Sequence, residues 1–424
     1  MIKFLIVFFV SFAAIFAQVE QSRAVNPYSI GPDFYIELAN YKGDLPGKTR
    51  VDVFIQVPYK NVSFIRAENG YTAEYSITLT FYTEDKEDII YESLWNEKIS
   101  VDNFELTESK RGQNLSYRKS HLTPGKYLLN CAVEDLNSNR NVVAESIVNI
   151  KEFDDPVELS DIVLVAKRIE TENTQSIIPN VSKTVSEDFE NLDFFFEVYS
   201  DKERKLFVEY SIEDKNEQRT FTEMVHQDIA EGTNLINHVI ENPNISLGDY
   251  SLYVKLIEEN DNELTSVRKK ISSKLPGFPA IIKDLETAVS QMQYIASNEE
   301  MNYIEEAENY TEMLQRFKDF WKAKDPSPNT PENEVLTEYY RRVAYATKNF
   351  ESYYDGWKTD MGMIYITLGP PNQVDRHPFD YDSKPYEVWD YYQLNRRFVF
   401  VDQTGFGDYR LLDRDYGDWN RYRY

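Results

Sequence analysis

Tyr353-Tyr-Asp-Gly-Trp-Lys-Thr-Asp-Met-Gly-Met-Ile-Tyr-Ile-Thr-Leu-Gly-Pro-Pro-Asn372 is the stretch on which the C-terminal fold turns. A helical stripe of apolar residues runs into it, and Gly356 suits the left-handed backbone that closes many helices. The alternation in Met363–Leu368 predicts a strand, which Gly369-Pro-Pro-Asn372 turns sharply. Trp357 offers a large packing body, Thr359 stands beside it, and Asp360 can bond nearby backbone N–H groups or pair with an arginine.

Upstream, Asn329-Thr-Pro-Glu-Asn-Glu334 carries a helix start. Thr330 can cap, Pro331 suits the first helical position, and Glu332 and Glu334 favour the positive end of the dipole. The helix body holds Leu336, Tyr339, Tyr340, Val343, Ala344, Phe350 and Tyr353. Arg341 and Arg342 interrupt that face about 100° apart, so one can face the domain while the other is solvated. Downstream, Tyr386–Tyr392 and Arg396–Asp402 read as two strands joined by a short polar turn. Residues 325–424 therefore form a small α+β domain, helices packed on an antiparallel sheet. Before it, 276–324 reads as a helical hairpin or linker. One stripe is Ile281, Ile282, Leu285, Val289, Met292 and Ile295; the other is Ile304, Ala307, Met313, Leu314, Phe317 and Trp321.

Residues 24–275 alternate with period two in Phe34–Leu38, Arg50–Val57 and Tyr71–Tyr82, the mark of half-buried strands. Two closing hairpins resemble one another: Leu122–Ile150 opens on Gly125-Lys-Tyr127, and Ile245–Ile271 opens on Gly248-Asp-Tyr250. This is an internal repeat of one fold, split where Phe153-Asp-Asp-Pro156 breaks the pattern. The chain is thus multidomain and mainly β with a C-terminal α+β part. Tandem immunoglobulin- or fibronectin-like sandwiches occupy 24–153 and 157–275.

At 424 residues the chain exceeds one ordinary core. Its 31 Tyr and 25 Phe suit pleated, half-buried surfaces, with an aromatic recognition surface as the alternative. A net charge of −26 repels polyanions, so nucleic acid is excluded as a partner. Cys131 is the only cysteine, which rules out an intrachain disulfide and a cysteine metal cluster. Met1–Ala17 has an early lysine, an apolar run and small residues before Gln18, the layout of a secretory signal peptide cleaved near Ala17. Retention of this run as an N-terminal anchor is the alternative. The mature chain is expected to have no membrane span and to be extracytoplasmic: periplasmic, on the cell surface, or secreted.

Catalytic signatures are missing: no GxSxG, HExxH, GxxxxGK[ST] or Rossmann glycine set occurs, and Ser116-Tyr-Arg-Lys119 matches SxxK only at chance level. The metal candidates are His377 with Asp380 and Asp382, and Asp375 lies close by. Such a set can bind a divalent ion or serve as acid and base, but the Pro378 and Pro385 setting favours an exposed loop. The Asp/Asn-rich hairpin turns Asp135–Asn141 and Glu258–Glu263 are the places where Ca²⁺ would bind, although such residues are simply good turn formers. No cofactor is expected. Asp360, Glu387 and Asp402, with Arg341, Arg342 and Arg397, are expected to gather in an ion-pair network beneath the Trp357 and Trp389 rings. That network either fixes the domain or lines a groove for a peptide or glycan.

Residues from about Trp321 to Leu412 resemble the GWxTD domain. The resemblance rests on Gly356-Trp-Lys-Thr-Asp360, Tyr339-Tyr-Arg-Arg-Val343, Gly369-Pro-Pro371, Arg376-His-Pro378, Tyr386-Glu-Val-Trp389, Arg397-Phe-Val-Phe400 and Thr404-Gly-Phe-Gly-Asp-Tyr409. It implies an exported bacterial protein of a family with no agreed activity. The expected function is that of a non-enzymatic binding or scaffold protein of a bacterial cell envelope, presenting this module to a protein partner. The alternative is an envelope hydrolase or glycan-binding protein that uses the His377 acidic loop or the tryptophan and arginine cluster.

Overall fold

The computed structural model describes residues 34–412 except 110–111, 172–173, 187–190, 244, 276–277, 280–281, 329–332 and 379–382. The Met1–Ala17 segment, the Thr330 cap, Asp380 and Asp382 lie outside the described residues. The chain is mainly β, with helices and a small sheet at its C-terminal end. It divides into two compact units, one ending at Ser160 and one starting at Asp161. Among the described residues, no helix is long and apolar enough to cross a membrane.

The first unit is a sandwich. One sheet orders Tyr35–Lys42, Thr49–Pro58 and Gln113–Leu122. The other runs Ile89–Val101, Gly70–Thr83, Gly125–Asp135 and Arg140–Ile150, and Ile65–Ala67 also pairs with Gly70–Thr83. Val51, Val53 and Ile55 from one sheet meet Ile77, Leu79, Phe81 and Leu129 from the other in a single buried cluster. Alternation puts these residues on the inner face. Cys131 is buried among them, and burial pushes its thiol far above the ordinary range.

The second sandwich repeats this topology. Val163–Thr171, Asn191–Ser200 and Gly232–Glu241 make one sheet path, and Arg219–Ile229, Arg204–Asp214, Gly248–Ile257 and Glu263–Lys274 the other. The repeat extends to detail. Tyr127 stands opposite Thr83 as Tyr250 stands opposite Asp214. The bulge between Phe81 and Tyr82 recurs between Ile212 and Glu213.

The helices lie in the same unit as the second sandwich. Their core takes in Leu247 and Leu275 from the sandwich end, and the Leu247 N–H donates to the Tyr310 hydroxyl at 2.9 Å. The expected second helix is two, Asn298–Glu305 and Tyr310–Ala323, because Asn309 caps a new start by accepting from the Glu312 N–H. Glu334–Asn349 follows, capped by Asn333. The C-terminal sheet orders Gln373–His377, Tyr386–Tyr391, Arg396–Asp402 and Tyr409–Leu411, all antiparallel.

Met363–Leu368 is not a strand; Asp360–Leu368 is a helix. Thr359 starts it, its hydroxyl accepting from the Gly362 N–H at 3.0 Å, and Gly369 at φ +82° stops it. Met361, Gly362, Ile364, Tyr365, Ile366 and Thr367 are all buried. A short helix enclosed on every side has no polar face, so its sequence reads as a β-branched apolar run, and tertiary packing outweighs that local preference.

Candidate functional site

The signature forms the corner between the helices and the sheet. Gly356 does not adopt left-handed backbone: it stands where Glu334–Asn349 ends, and a Cβ there would lie 2.1 Å from the Ala346 carbonyl oxygen. Close approach, not helix-ending geometry, requires glycine at this position. Trp357 is buried with Leu336, Tyr339, Tyr340, Val343 and Ile366, and its carbonyl accepts from the Tyr294 hydroxyl at 3.0 Å. Burial and the neighbouring Asp360 charge push the Tyr294 phenol up to about 12. Thr359 caps the next helix and donates its hydroxyl to the Gly356 carbonyl at 2.8 Å.

Asp360, at the first position of that helix, accepts from the Leu411 N–H at 2.8 Å. Tyr409–Leu411 is the sheet's edge strand, so the signature carboxylate satisfies a backbone donor on its open side. At the other end of the helix, Arg342 donates to the Ile366 and Thr367 carbonyls at 3.2 and 3.4 Å. Arg341 and Arg342 both bond Glu338. Burial opposes its charge, but the two guanidiniums hold the Glu338 carboxyl below its usual range. Arg342 thus faces the signature helix, and Arg341, the more exposed of the two, bonds Glu338 on its own helix.

The remaining site residues belong to the sheet. Glu387 bonds Arg376 at 3.0 Å and accepts from the Trp389 indole N–H at 3.2 Å. Arg397 forks onto Asp390, directly opposite it in register. Trp389 packs with Phe350, Tyr365 and Phe400 in a different buried cluster from that of Trp357, and Phe350 packs against both. Asp402 turns back on its own loop, accepting from the Thr404 N–H and hydroxyl and from the Gly405 and Gly407 N–H groups. Burial raises its pKa, yet these donors outweigh that effect and leave the carboxyl below its usual range.

The expected single network therefore resolves into separate sets: Glu338 with its two arginines, Asp360 with Leu411, Glu387 with Arg376 and Trp389, Arg397 with Asp390, and Asp402 with its loop. The sequence reading missed Glu338, although its spacing of three and four residues to the arginines places all three on one helix face. It also missed Asp390, found only through strand register, and Gly362, whose absent Cβ admits the Gly356 backbone. His377 lies in an edge strand, not a loop, with its ring stacked on Tyr386 at 4.4 Å. Among the described residues no three His, Cys, Asp or Glu side chains gather as a metal site. Asp135, in one of the turns considered for Ca²⁺, accepts from the Ser63, Asn137 and Ser138 N–H groups and from the Ser138 hydroxyl.

Beside the corner, the Asp402 loop carries Phe406 at 81% exposure, and Tyr353 and Tyr354 are 69% and 57% exposed. The Arg410 guanidinium joins these features, lying over the Tyr354 ring at 5.6 Å and bonding Asp408 at the loop base.

The GWxTD domain matches residues 253–415. Its match starts inside the last hairpin of the second sandwich, in keeping with the Leu247 and Leu275 contributions to the helical core. Residues 253–415 thus carry a GWxTD domain. No curated protein matches it. Among solved structures, red sea bream transglutaminase is 7% identical, over 57% of this chain and 31% of its own, with a TM-score of 0.18. A beta-glucuronidase of glycoside hydrolase family 2 is 12% identical over 52% of this chain and 24% of its own, with a TM-score of 0.21. A DUF4785 family protein of Legionella pneumophila is 11% identical over 57% of each chain, with a TM-score of 0.19. The chain thus spans between about a quarter and somewhat over half of these proteins.

Proposed function

We propose that this chain is a non-enzymatic, extracytoplasmic binding protein of a bacterial cell envelope whose GWxTD module presents a preformed aromatic tip to a protein partner. The observation that carries the reading is Phe406. A large apolar side chain stands 81% exposed on a loop tied to Asp402 by three backbone N–H groups and the Thr404 hydroxyl. Binding through an already ordered tip avoids most of the entropic cost of ordering a loop, and aromatic anchors of this kind dominate interface energies. Tyr353, Tyr354 and Arg410 supply neighbouring residue types that are enriched at interfaces. Export rests on the Met1–Ala17 pattern.

Partner capture from envelope extracts with the full chain tests the proposal. Phe406→Ala should lose a partner held by the wild type by tenfold or more, about 1.4 kcal/mol, with unchanged thermal unfolding. A well-folded Phe406→Ala protein that keeps every partner, or a wild-type chain found in the cytoplasm on fractionation, would overturn it.

A further inference from the structure

The two sandwiches are built alike, which makes each a control for the other. With Tyr127 and Tyr250 as matched positions, the solvent-facing side of the larger sheet can be compared row by row. In the first sandwich one row across the strands is Leu94, Thr78, Ala132 and Val143. A second is Ile89, Tyr82, Leu128 and Ile147, with the bulged Ile90 beside it. Leu94, Ile89, Ile90 and Val143 are 68%, 58%, 46% and 45% exposed. The opposite face of the same strands holds the buried Tyr75, Ile77, Leu79 and Phe81, so the core does not account for these rows.

The equivalent rows of the second sandwich are Met224, Glu209, Lys255 and Ser266, and Arg219, Glu213, Ser251 and Lys270. There Arg219 pairs with both Glu209 and Glu213. The same backbone positions are mostly aliphatic in one copy and mostly charged or polar in the other, so the fold does not require apolar residues on this face.

Between the two aliphatic rows runs a polar one: Glu92, Thr80, Asn130 and Glu145. Asn130 and Lys86 both bond Glu145. Two carboxylates against one ammonium leave a net negative strip between the rows, which lie about 13 Å apart at ~3.3 Å per strand residue. Aliphatic rows do not offer the ring faces on which sugars stack, and the one tyrosine, Tyr82, has the Lys86 ammonium 5.8 Å from its ring. Anionic lipid is repelled by a chain of net charge −26. A second copy, docked face to face, would set this acidic strip against itself.

We propose that this outer face of the first sandwich docks a partner protein whose surface presents two aliphatic patches with a lysine or arginine between them. The site is independent of the Phe406 tip.

Site-specific photo-crosslinking in the native cell tests it, with a photoreactive residue placed in the full chain at Leu94 or Val143, and at Met224 or Ser266 as matched controls. Adducts to one common protein are expected at the first pair and not at the second, and the crosslinked peptide should carry aliphatic residues flanking a basic one. In a chain crosslinking from Val143, Leu94→Glu should lower the yield about tenfold or more while thermal unfolding stays unchanged. Absence of adducts, equal adducts at the control positions, an adduct to a second copy or to lipid, or an acidic crosslinked peptide would each overturn the proposal.

Discussion

Gly362 lies directly against Gly356: a Cβ built on Gly362 would stand 2.1 Å from the Gly356 carbonyl oxygen and 3.0 Å from the Trp357 Cα. Both obstacles are backbone and cannot rotate away. Alanine normally gains about 1 kcal/mol over glycine inside a helix, but overpacking here should cost about 1–3 kcal/mol. Gly362→Ala should therefore destabilise the second unit, read as a lower Tm. An unchanged or raised Tm would show that the corner has slack that the geometry does not suggest.

Trp357 and Phe406 are both aromatic residues of the GWxTD module, with opposite roles. Trp357 is 5% exposed within the helical core, and Phe406 is 81% exposed. Trp357→Ala should cost about 3–5 kcal/mol, whereas Phe406→Ala should stay within about 0.5 kcal/mol of wild type. Urea titrations of the two variants check this. Comparable destabilisation by both would mean that the loop packs in solution against something the folded chain does not show.

Arg396–Asp402 was legible because Phe398, Phe400 and Asp402 are buried alternately with more exposed neighbours, so the side-chain period survives in the sequence. Tyr386–Tyr391, whose Trp389, Asp390 and Tyr391 are all buried, was legible from its aromatic and β-branched residues instead. Asp360–Leu368 was misread because packing encloses it and leaves no periodic polar positions. Gly356 was singled out for the wrong reason: a glycine needed for close approach and one needed for positive φ look the same until the neighbouring backbone is known. Asp390 became visible as the partner of Arg397 only once register placed them opposite one another. Trp389 and Trp357 belong to two different buried clusters that Phe350 bridges, a division that no local pattern encodes.

Asp402 should make the Phe406 loop acid-sensitive. Its folded-state pKa is depressed below the unfolded value of about 3.9, through donors that outweigh the cost of burial. Its contribution is therefore complete well above that unfolded value and is lost as pH falls through the lower folded value. Amide exchange at Gly405 and Gly407, corrected for intrinsic pH dependence, should lose protection in that acid range. In Asp402→Ala both amides should be unprotected at neutral pH as well. Protection that survives in Asp402→Ala would mean that the loop is held by something else.

Asp360 and Leu411 offer a similar test at the sheet edge. Asp360→Ala leaves the Leu411 N–H without its carboxylate acceptor and removes an acidic group from the helix start, together about 1–3 kcal/mol. The loss should be local first: faster exchange at Leu411 before any change in the Trp357 core.

Arg342 holds the other end of the signature helix, bridging Glu338 to the carbonyls of Ile366 and Thr367. Its guanidinium carbon also lies 3.2 Å from where a Cβ on Gly369 would sit, a tight contact. The planar fork reaches the carboxylate and the carbonyls together, which a lysine ammonium does not reproduce. Arg342→Lys should therefore cost about 1–2 kcal/mol despite keeping the charge. Because the side chain is only 14% exposed, little of that loss should be recovered by changing salt. Equal stability of Arg342→Lys and wild type would reduce the role of Arg342 to charge alone; equal loss in Arg342→Lys and Arg342→Ala would place it in the geometry of the fork.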